Sequence, residues 1–372
     1  MERKMALTRR KTLALIGGGT IFAATAATAG FVTSRTPTRA LAPWERAGGY
    51  GDPRLDALSY GLLAPNPHNL QPWQVALEGE DSFALYHDTS RRLPHTDPYD
   101  RQLRIGFGCF LELTVIAAQA SGHTVDLTLF PDGPQGPVAR GVMGKGGQTD
   151  PLAAHIMERR SCKEPFADQA VEAEKAAALA EFASVHTDPA LVADLRALTW
   201  EAWLTETLTP RTMQESVDLM RFGKAQINAT PDGIDMGGGF LEALMLAGVF
   251  NRETAADPDS TAFQQGIAIY DEMLNATPAF VSLTTEGNAP QDHIGAGRRW
   301  LRLNLATTQL GLSLHPVSQA LQEYPEMAPH YARAHELLAP QGGTVQMLGR
   351  LGYGPAIPRT PRWPLEAKRR DV

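Results

Sequence analysis

Three short stretches of this 372-residue chain gather side chains that can do chemistry. "ERRSCKEPF", residues 158 to 166, presents Arg159, Arg160, Ser161 and Lys163 where a helix is expected to end. "IPRTPRWPLEAKRR", 357 to 370, places Arg359 and Arg362 just after the last expected strand. An arginine offers a planar fork of donors and a serine adds another, a combination suited to a phosphate. The competing readings are a cation pair favoured by a helix C-terminus and a solvated charge run. The third stretch, "NPHNLQPW" (66 to 73), holds more than a helix stop requires. Its plain alternative is a Pro-rich turn that leads Trp73 into the core.

Other chemistries carry no signal. The ten histidines are scattered, without H-E-x-x-H or a close i, i+4 pair, so no metal site is expected. Two cysteines support neither a disulfide framework nor a cysteine zinc site. Cys109, among Phe110, Leu111 and Leu113, reads as core, and Cys162 as incidental to its cationic neighbours. Gly106-Phe107-Gly108 lacks the third glycine of a dinucleotide fingerprint, and Lys145 is followed by Gly146 where a Walker loop needs Ser or Thr. No G-x-S-x-G supports a serine hydrolase.

Charge separates the N-terminus from the rest. Residues 1–39 carry seven Lys/Arg against Glu2 alone, which leaves 27 basic and 40 acidic side chains in the body. An acidic body without a basic stripe argues against nucleic acid as partner. At the N-terminus, Arg9-Arg10 precedes an uncharged run from Thr12 to Ser34 with small residues around Ala27-Thr28-Ala29. This three-part form resembles a twin-arginine signal and implies the export machinery as a partner and an exported, periplasmic or extracytoplasmic location. An uncleaved membrane anchor is the alternative, because the run is long enough to span a bilayer.

The elements that must position the three stretches follow from pattern. Residues 35–54 read as a linker or extended arm, and Leu55 to Ala64 as a helix. "WQVAL" and "FALYH" flank Glu78-Gly79-Glu80-Asp81 as a hairpin. Arg104 to Gly122 is a long apolar helix, and "TVDLTLF" a strand. The Gly/Pro-rich stretch 131–150 reads as an internal boundary, after which Asp150-Pro151 opens a helix. Ala/Leu-rich helices follow to about 225, and "TPDGIDMGGG" (230 to 239) is a flexible loop. A strand at "AFVSLTT", a helix from Ala296 to Leu310 and a strand at "GTVQMLGRLGYG" close the chain. Helices outnumber strands and the hairpin disfavours a purely parallel sheet, so the fold class is α+β.

An internal echo organises the whole. "IGFGCFLELTVIAAQASG" from Ile105 and "IGAGRRWLRLNLATTQLG" from Ile294 align without a gap, matching Ile105/Ile294, Gly106/Gly295, Gly108/Gly297, Ala117/Ala306 and Gly122/Gly311. A diverged duplication would pack two related halves through paired helices.

Taken together, these motifs resemble the nitroreductase family. Pro65-Asn66-Pro67-His68-Asn69-Leu70-Gln71-Pro72-Trp73 looks like its P-S-x-x-N-x-Q-P-W segment, Arg159-Arg160-Ser161-Cys162-Lys163 like its R-R-S-x-[RK] opening, and "LGYG…PRTPRWPLE" like its closing segment. The reversed order of the segments resembles the Acg-like branch, in which one chain imitates the family homodimer. The resemblance implies a nitroreductase-like fold with a first half at 40–150 and a second at 151–372, preceded by a signal or linker at 1–39. It implies one FMN site and a function as an FMN-dependent oxidoreductase. NAD(P)H or another electron donor is implied, with an electron-poor nitroaromatic or quinone as the acceptor. A flavin-sequestering protein with little turnover is the rival reading. By the same resemblance Arg159, Arg160, Ser161, Arg359 and Arg362 hold the FMN phosphate and Lys163 stands by the pyrimidine edge of the ring. Pro65, Asn66, Pro67, Asn69 and Gln71 line the ring from the other half, and Ser318 approaches its N5 edge. The chemistry belongs to the flavin, so no catalytic side chain is assigned. His68 and His315 are candidates to reach substrate, with hydrogen-bonded bystanders as the alternative, and residues 209–262 read as a lid-like insertion or simply as an apolar helical insertion.

Overall fold

The computed structural model describes residues 31–371, so the expected export segment lies almost wholly outside the described residues. Two four-stranded antiparallel sheets form the frame. The first has the order β1-β2-β4-β3, with β1 Trp73–Glu78, β2 Ser82–His87, β3 His123–Leu129 and β4 Ala139–Lys145. The second has the order β5-β8-β10-β9, with β5 Ser184–His186, β8 Ala279–Thr285, β9 Ser313–Pro316 and β10 Thr344–Gly352. The α+β class stands.

Local chemistry explains where the expected elements begin and end. Helix α1 (Pro53–Gly61) starts at Asp52, whose carboxylate accepts from Arg54 N at 2.9 Å ahead of Pro53 at the first helical position. Its chain runs out at Leu62-Leu63-Ala64, before Pro65 disfavours further helix. In the hairpin Glu78 pairs with Ser82, leaving a three-residue loop in which Gly79 takes φ +55°. The two echo segments are the helices α2 (Arg101–Ala120) and α3 (Pro290–Gln309). α2 is long and apolar enough to cross a membrane, but 83% of that stretch is buried inside the protein.

α2 and α3 cross with their backbones in contact. A Cβ on Gly108 would overlap the Ile294 carbonyl oxygen, and one on Gly297 the Ile105 carbonyl oxygen. Each would also stand 2.9 Å from the other glycine's Cα. The partners are the very pairs that the echo aligns, so the contact is reciprocal in the manner of an isologous dimer interface. Beside the crossing, buried Glu112 of α2 accepts from Arg298 at 2.6 Å and from Arg302 at 2.8 Å on α3. One apolar core runs through both sheets and both helices, from Trp73, Phe83 and Phe110 to Val281, Trp300 and Leu351.

Four expectations are corrected. Residues 35–54 are not an extended arm, because Thr38–Arg46 is helical and buries Trp44. The stretch 131–150 is not a bare boundary, since it contains β4 in the interior of the first sheet. The glycines that disguised this strand are spatial requirements: a Cβ on Gly141 would collide with the Phe83 ring, and one on Gly144 would lie 2.6 Å from Thr124 Oγ1. Asp150 does cap a turn, accepting from Leu152 N at 2.9 Å, but only the short 3-10 segment Pro151–His155 follows. Within 230–239, β7 (Ile234–Met236) pairs in parallel with β6 (Met220–Phe222).

The helix crossing has a measurable consequence. Gly108→Ala and Gly297→Ala should each lower unfolding free energy by about 1–3 kcal/mol through backbone displacement. The double variant should lose less than the sum, because the first displacement already makes room for the second methyl. Urea unfolding of the three variants checks this, and an unchanged midpoint for either single variant contradicts the crossing.

Candidate functional site

The site grows from the C-terminal end of α1. There Arg159 donates to Asn304 Oδ1 at 2.8 Å and to Leu63 O at 2.9 Å. Arg362 donates to Leu62 O at 2.8 Å, to Asn69 Oδ1 at 2.8 Å, and to Leu63 O and Ala64 O at 3.1 Å each. Both guanidinium groups are buried and meet only neutral acceptors, largely the carbonyls at the negative end of the helix. Arg160, Arg359 and Arg362 lie 4.7, 5.5 and 5.8 Å from the centre of the Trp44 ring. Arg359 pairs with Glu45 at the surface.

The cluster is short of negative charge. Burial first, then the neighbouring Arg159 and Arg160, pulls Arg362 down to about 9. Burial brings Arg159 down to about 10, and Arg160 is lowered by burial and by Arg359. The Nε donors of Arg159 and Arg160 are buried without a hydrogen-bond partner. Orphaned donors on mutually repelling cations fit an anion. Ser161 is half-buried beside them, and Cys162 N donates to Leu314 O at 2.9 Å, fixing this segment along β9.

The NPHNLQPW turn docks directly on this cluster. His68, Asn69 and Gln71 take φ of +48°, +52° and +51°, a run of left-handed residues that are not glycine. Such backbone persists only where its surroundings over-determine it, and it concentrates at ligand sites. The surroundings are explicit. Asn66 Oδ1 accepts from Gln71 N at 2.7 Å, and Asn69 Nδ2 donates to Pro361 O at 3.2 Å. Gln71 Oε1 accepts from Trp363 N at 2.8 Å, while its Nε2 donates to Pro231 O at 2.6 Å. Lys368 Nζ donates to Gln71 O at 2.6 Å. α2 closes in from beneath, where a Cβ on Gly106 would stand 3.1 Å from Asn66 Cβ.

Beyond the turn, Lys163 keeps an accessible side chain while the chain surrounds it closely enough for desolvation to lower its ammonium pKa. His68 and His315 share its field: burial, then Lys163, lowers His68 to about 4, and burial, Arg350 and Lys163 keep His315 well below its usual value. Asp235 on β7 and Glu206 act electrostatically on Lys163, and both are raised chiefly by burial, Glu206 to about 7. Glu206 accepts from Gln322 Nε2 at 3.0 Å.

The structure thus brings together Arg160, Arg359 and Arg362 around Trp44, joins Arg159 to Arg362 through their shared acceptor Leu63 O, and couples the cluster to Asn69 through Arg362. Pro65, Asn66 and Pro67 are half-buried in the turn. Gln71 is fully buried and spends its amide on Trp363 and Pro231, so it braces the turn. The Ser318 hydroxyl exchanges hydrogen bonds of 3.1 Å with the Leu348 backbone, which engages it in the sheet. Trp44, Glu206 and Asp235 escaped the sequence reading. Glu206 in "WLTETL" gave one available signal, a charge within an apolar helical stretch. Two surface cavities of about 250 and 370 Å³, lined by Tyr60 and Met157 and by Arg54 and Met143 among others, hold none of the sequence-predicted site residues.

An α+β chain built on paired glycine-crossed helices, with a carboxylate-poor arginine cluster docked on a left-handed turn, defines a cradle for an anionic ligand. No protein-family profile matches the chain. Over 76 residues it is 34% identical to the curated "Putative NAD(P)H nitroreductase acg" of two Mycobacterium tuberculosis strains. The match covers 20% of this chain and 23% of those relatives, so the chain spans about a quarter of their length in the matched part. Among solved structures it is similar to the FMN-dependent nitroreductase NfnB of Mycobacterium smegmatis in complex with NADPH, at 18% identity and a TM-score of 0.36, over 59% of this chain and 98% of that one. A nitroreductase with bound FMN from Desulfitobacterium hafniense gives 14% identity and a TM-score of 0.35, over 60% and 100%.

Burial makes Glu206 sensitive to pH near neutrality. Its folded pKa of about 7 lies above the ordinary 4.5, so the folded state binds more protons than the unfolded state between these values. Stability is full below the unfolded pKa and falls as pH rises from 4.5 to about 7. Glu206→Gln should flatten this slope, worth of the order of 3 kcal/mol across the window. Urea unfolding at pH 5 and pH 7.5 measures it, and an equal slope in both proteins contradicts the assignment.

Proposed function

We propose that the chain is an FMN-dependent oxidoreductase of the nitroreductase kind, one chain imitating the family dimer. In this reading it takes electrons from NAD(P)H and passes them to an electron-poor acceptor such as a nitroaromatic or a quinone. The observation that carries the reading is the arginine cluster with orphaned buried Nε donors, docked through Arg362 on the strained turn. The export reading of residues 1–39, the halves at 40–150 and 151–372 and a periplasmic location belong to the same proposal.

The residues fit the group. Arg159, Arg160, Ser161 and Arg359 would hold the phosphate. Asn66, Pro67 and Asn69 would line the ring, and Lys163 would supply a cation to stabilise negative charge on the reduced group. FMN supplies the two-electron chemistry when bound. Burial keeps His68 and His315 neutral at pH 7 and raises Glu206 to about 7.

A second reading has its own observation. Residues 209–262 are fixed over the turn: Gly233 N donates to Asn69 O at 3.2 Å, and Asp232, buried on the insertion, pairs with Arg91 and accepts from Trp363 Nε1 at 2.7 Å. A cover bonded this firmly favours a flavin-sequestering protein with little turnover.

The chain produced in a cytoplasmic host should carry about one FMN per chain, read from its visible spectrum and released flavin. Arg160→Met should weaken FMN affinity roughly 10- to 100-fold, the worth of a hydrogen bond to a charged group. Rapid bleaching by NADPH and recovery with a quinone support the enzyme; bound flavin that resists NADPH supports sequestration. A chain that takes up no FMN on incubation overturns both.

A further inference from the structure

The insertion contains a helix turned inside out. In Gly239–Leu246, "GFLEALML", the buried residue is Glu242, while Phe240 and Leu246 are 53% and 75% exposed. Val249, just beyond, is 51% exposed. Burial of a carboxylate with exposure of the large apolar residues reverses the usual partition. It is held by design: Glu242 Oε1 accepts from Lys224 N at 2.9 Å, and Oε2 pairs with Arg35 at 3.4 Å.

The same contacts fix where the N-terminal run meets the body. Arg35 is the first charge after the uncharged stretch Thr12 to Ser34. Lys224 Nζ donates to Ser34 O at 2.8 Å, and a Cβ on Gly239 would stand 2.9 Å from Val32 Cγ2. Val32 is itself 51% exposed and adds to the patch. The apolar run therefore ends on the apolar helix, and Glu242 clamps the two together.

We propose that Phe240, Leu246, Val249 and Val32 form a lipid-facing surface by which the insertion lies on a bilayer, at the place where the last residues of the uncharged run, Val32 to Ser34, pack on it. A bilayer accepts apolar side chains from one face of a short helix at its interface. A second copy is the poorer occupant, because two bodies with 40 acidic against 27 basic residues repel at contact. The surface needs neither FMN nor turnover, so it stands independently of the functional proposal.

Leu246→Cys in the full chain accepts a thiol-reactive fluorophore selectively, because Cys109 and Cys162 are buried and burial pushes both thiols up. Val142→Cys, 42% exposed on β4, is the control position. With phosphatidylcholine vesicles carrying nitroxide lipids, the label at 246 should lose about half its emission or more, while that at 142 stays bright. Phe240→Glu should reduce vesicle quenching of the 246 label severalfold. A 246 label equally open to aqueous iodide with and without vesicles overturns the proposal. So does one already shielded before vesicles are added, which would assign the patch to residues 1–30 or a second copy.

Discussion

The site depends on a backbone contact between two helices. Where α2 and α3 cross at Gly108 and Gly297, no side chain separates the chains, so the distance between the sheets is set by carbonyl oxygens against Cα atoms. Such a contact has little compressibility. Two turns of consequences follow from it. Glu112, two arginines and the surrounding core lock the crossing laterally, and Gly106, two residues before Gly108, lets α2 approach Asn66 closely. The turn that carries Asn66, Asn69 and Gln71 thereby inherits its position from the crossing rather than from its own propensity.

The arginine cluster imposes the opposing constraint. Buried guanidinium groups cost several kcal/mol of desolvation each, and carbonyl oxygens at a helix end return only part of it. Arg362 offsets the cost by donating to Leu62 O, Leu63 O and Ala64 O at once, sharing Leu63 O with Arg159 and Ala64 O with Asn66 Nδ2 at the end of α1. Arg159 and Arg160 each keep an unpartnered Nε, so the cluster is not closed by the protein alone. Trp44 gives three of the cations a flat apolar face to pack on, a weakly hydrated arrangement available to arginine and not to lysine.

Much of this was legible in the sequence, and the failures share a cause. The hairpin, both long helices, the last strands and the echo followed from period and turn chemistry, which are local. The motif residues were legible as types at fixed spacings. β4 was not, because Gly141 and Gly144 answer to Phe83 and Thr124 across the sheet, and a local reading scores them as loop. β7 hides behind Gly233 and the following glycines for the same reason. Trp44 was read as part of an arm because nothing in "TRALAPWER" announces that distant arginines will pack on its ring. Gln71 and Ser318 show the converse: their types fit a ring contact, while the structure spends their polar atoms on Trp363, Pro231 and Leu348.

The insertion unites these constraints. Left-handed residues cost of order 1–3 kcal/mol each, and the turn holds three in four positions. Gly233 N donates to Asn69 O, and Gln71 Nε2 donates to Pro231 O, so residues of the insertion help hold the strained backbone of the turn in place.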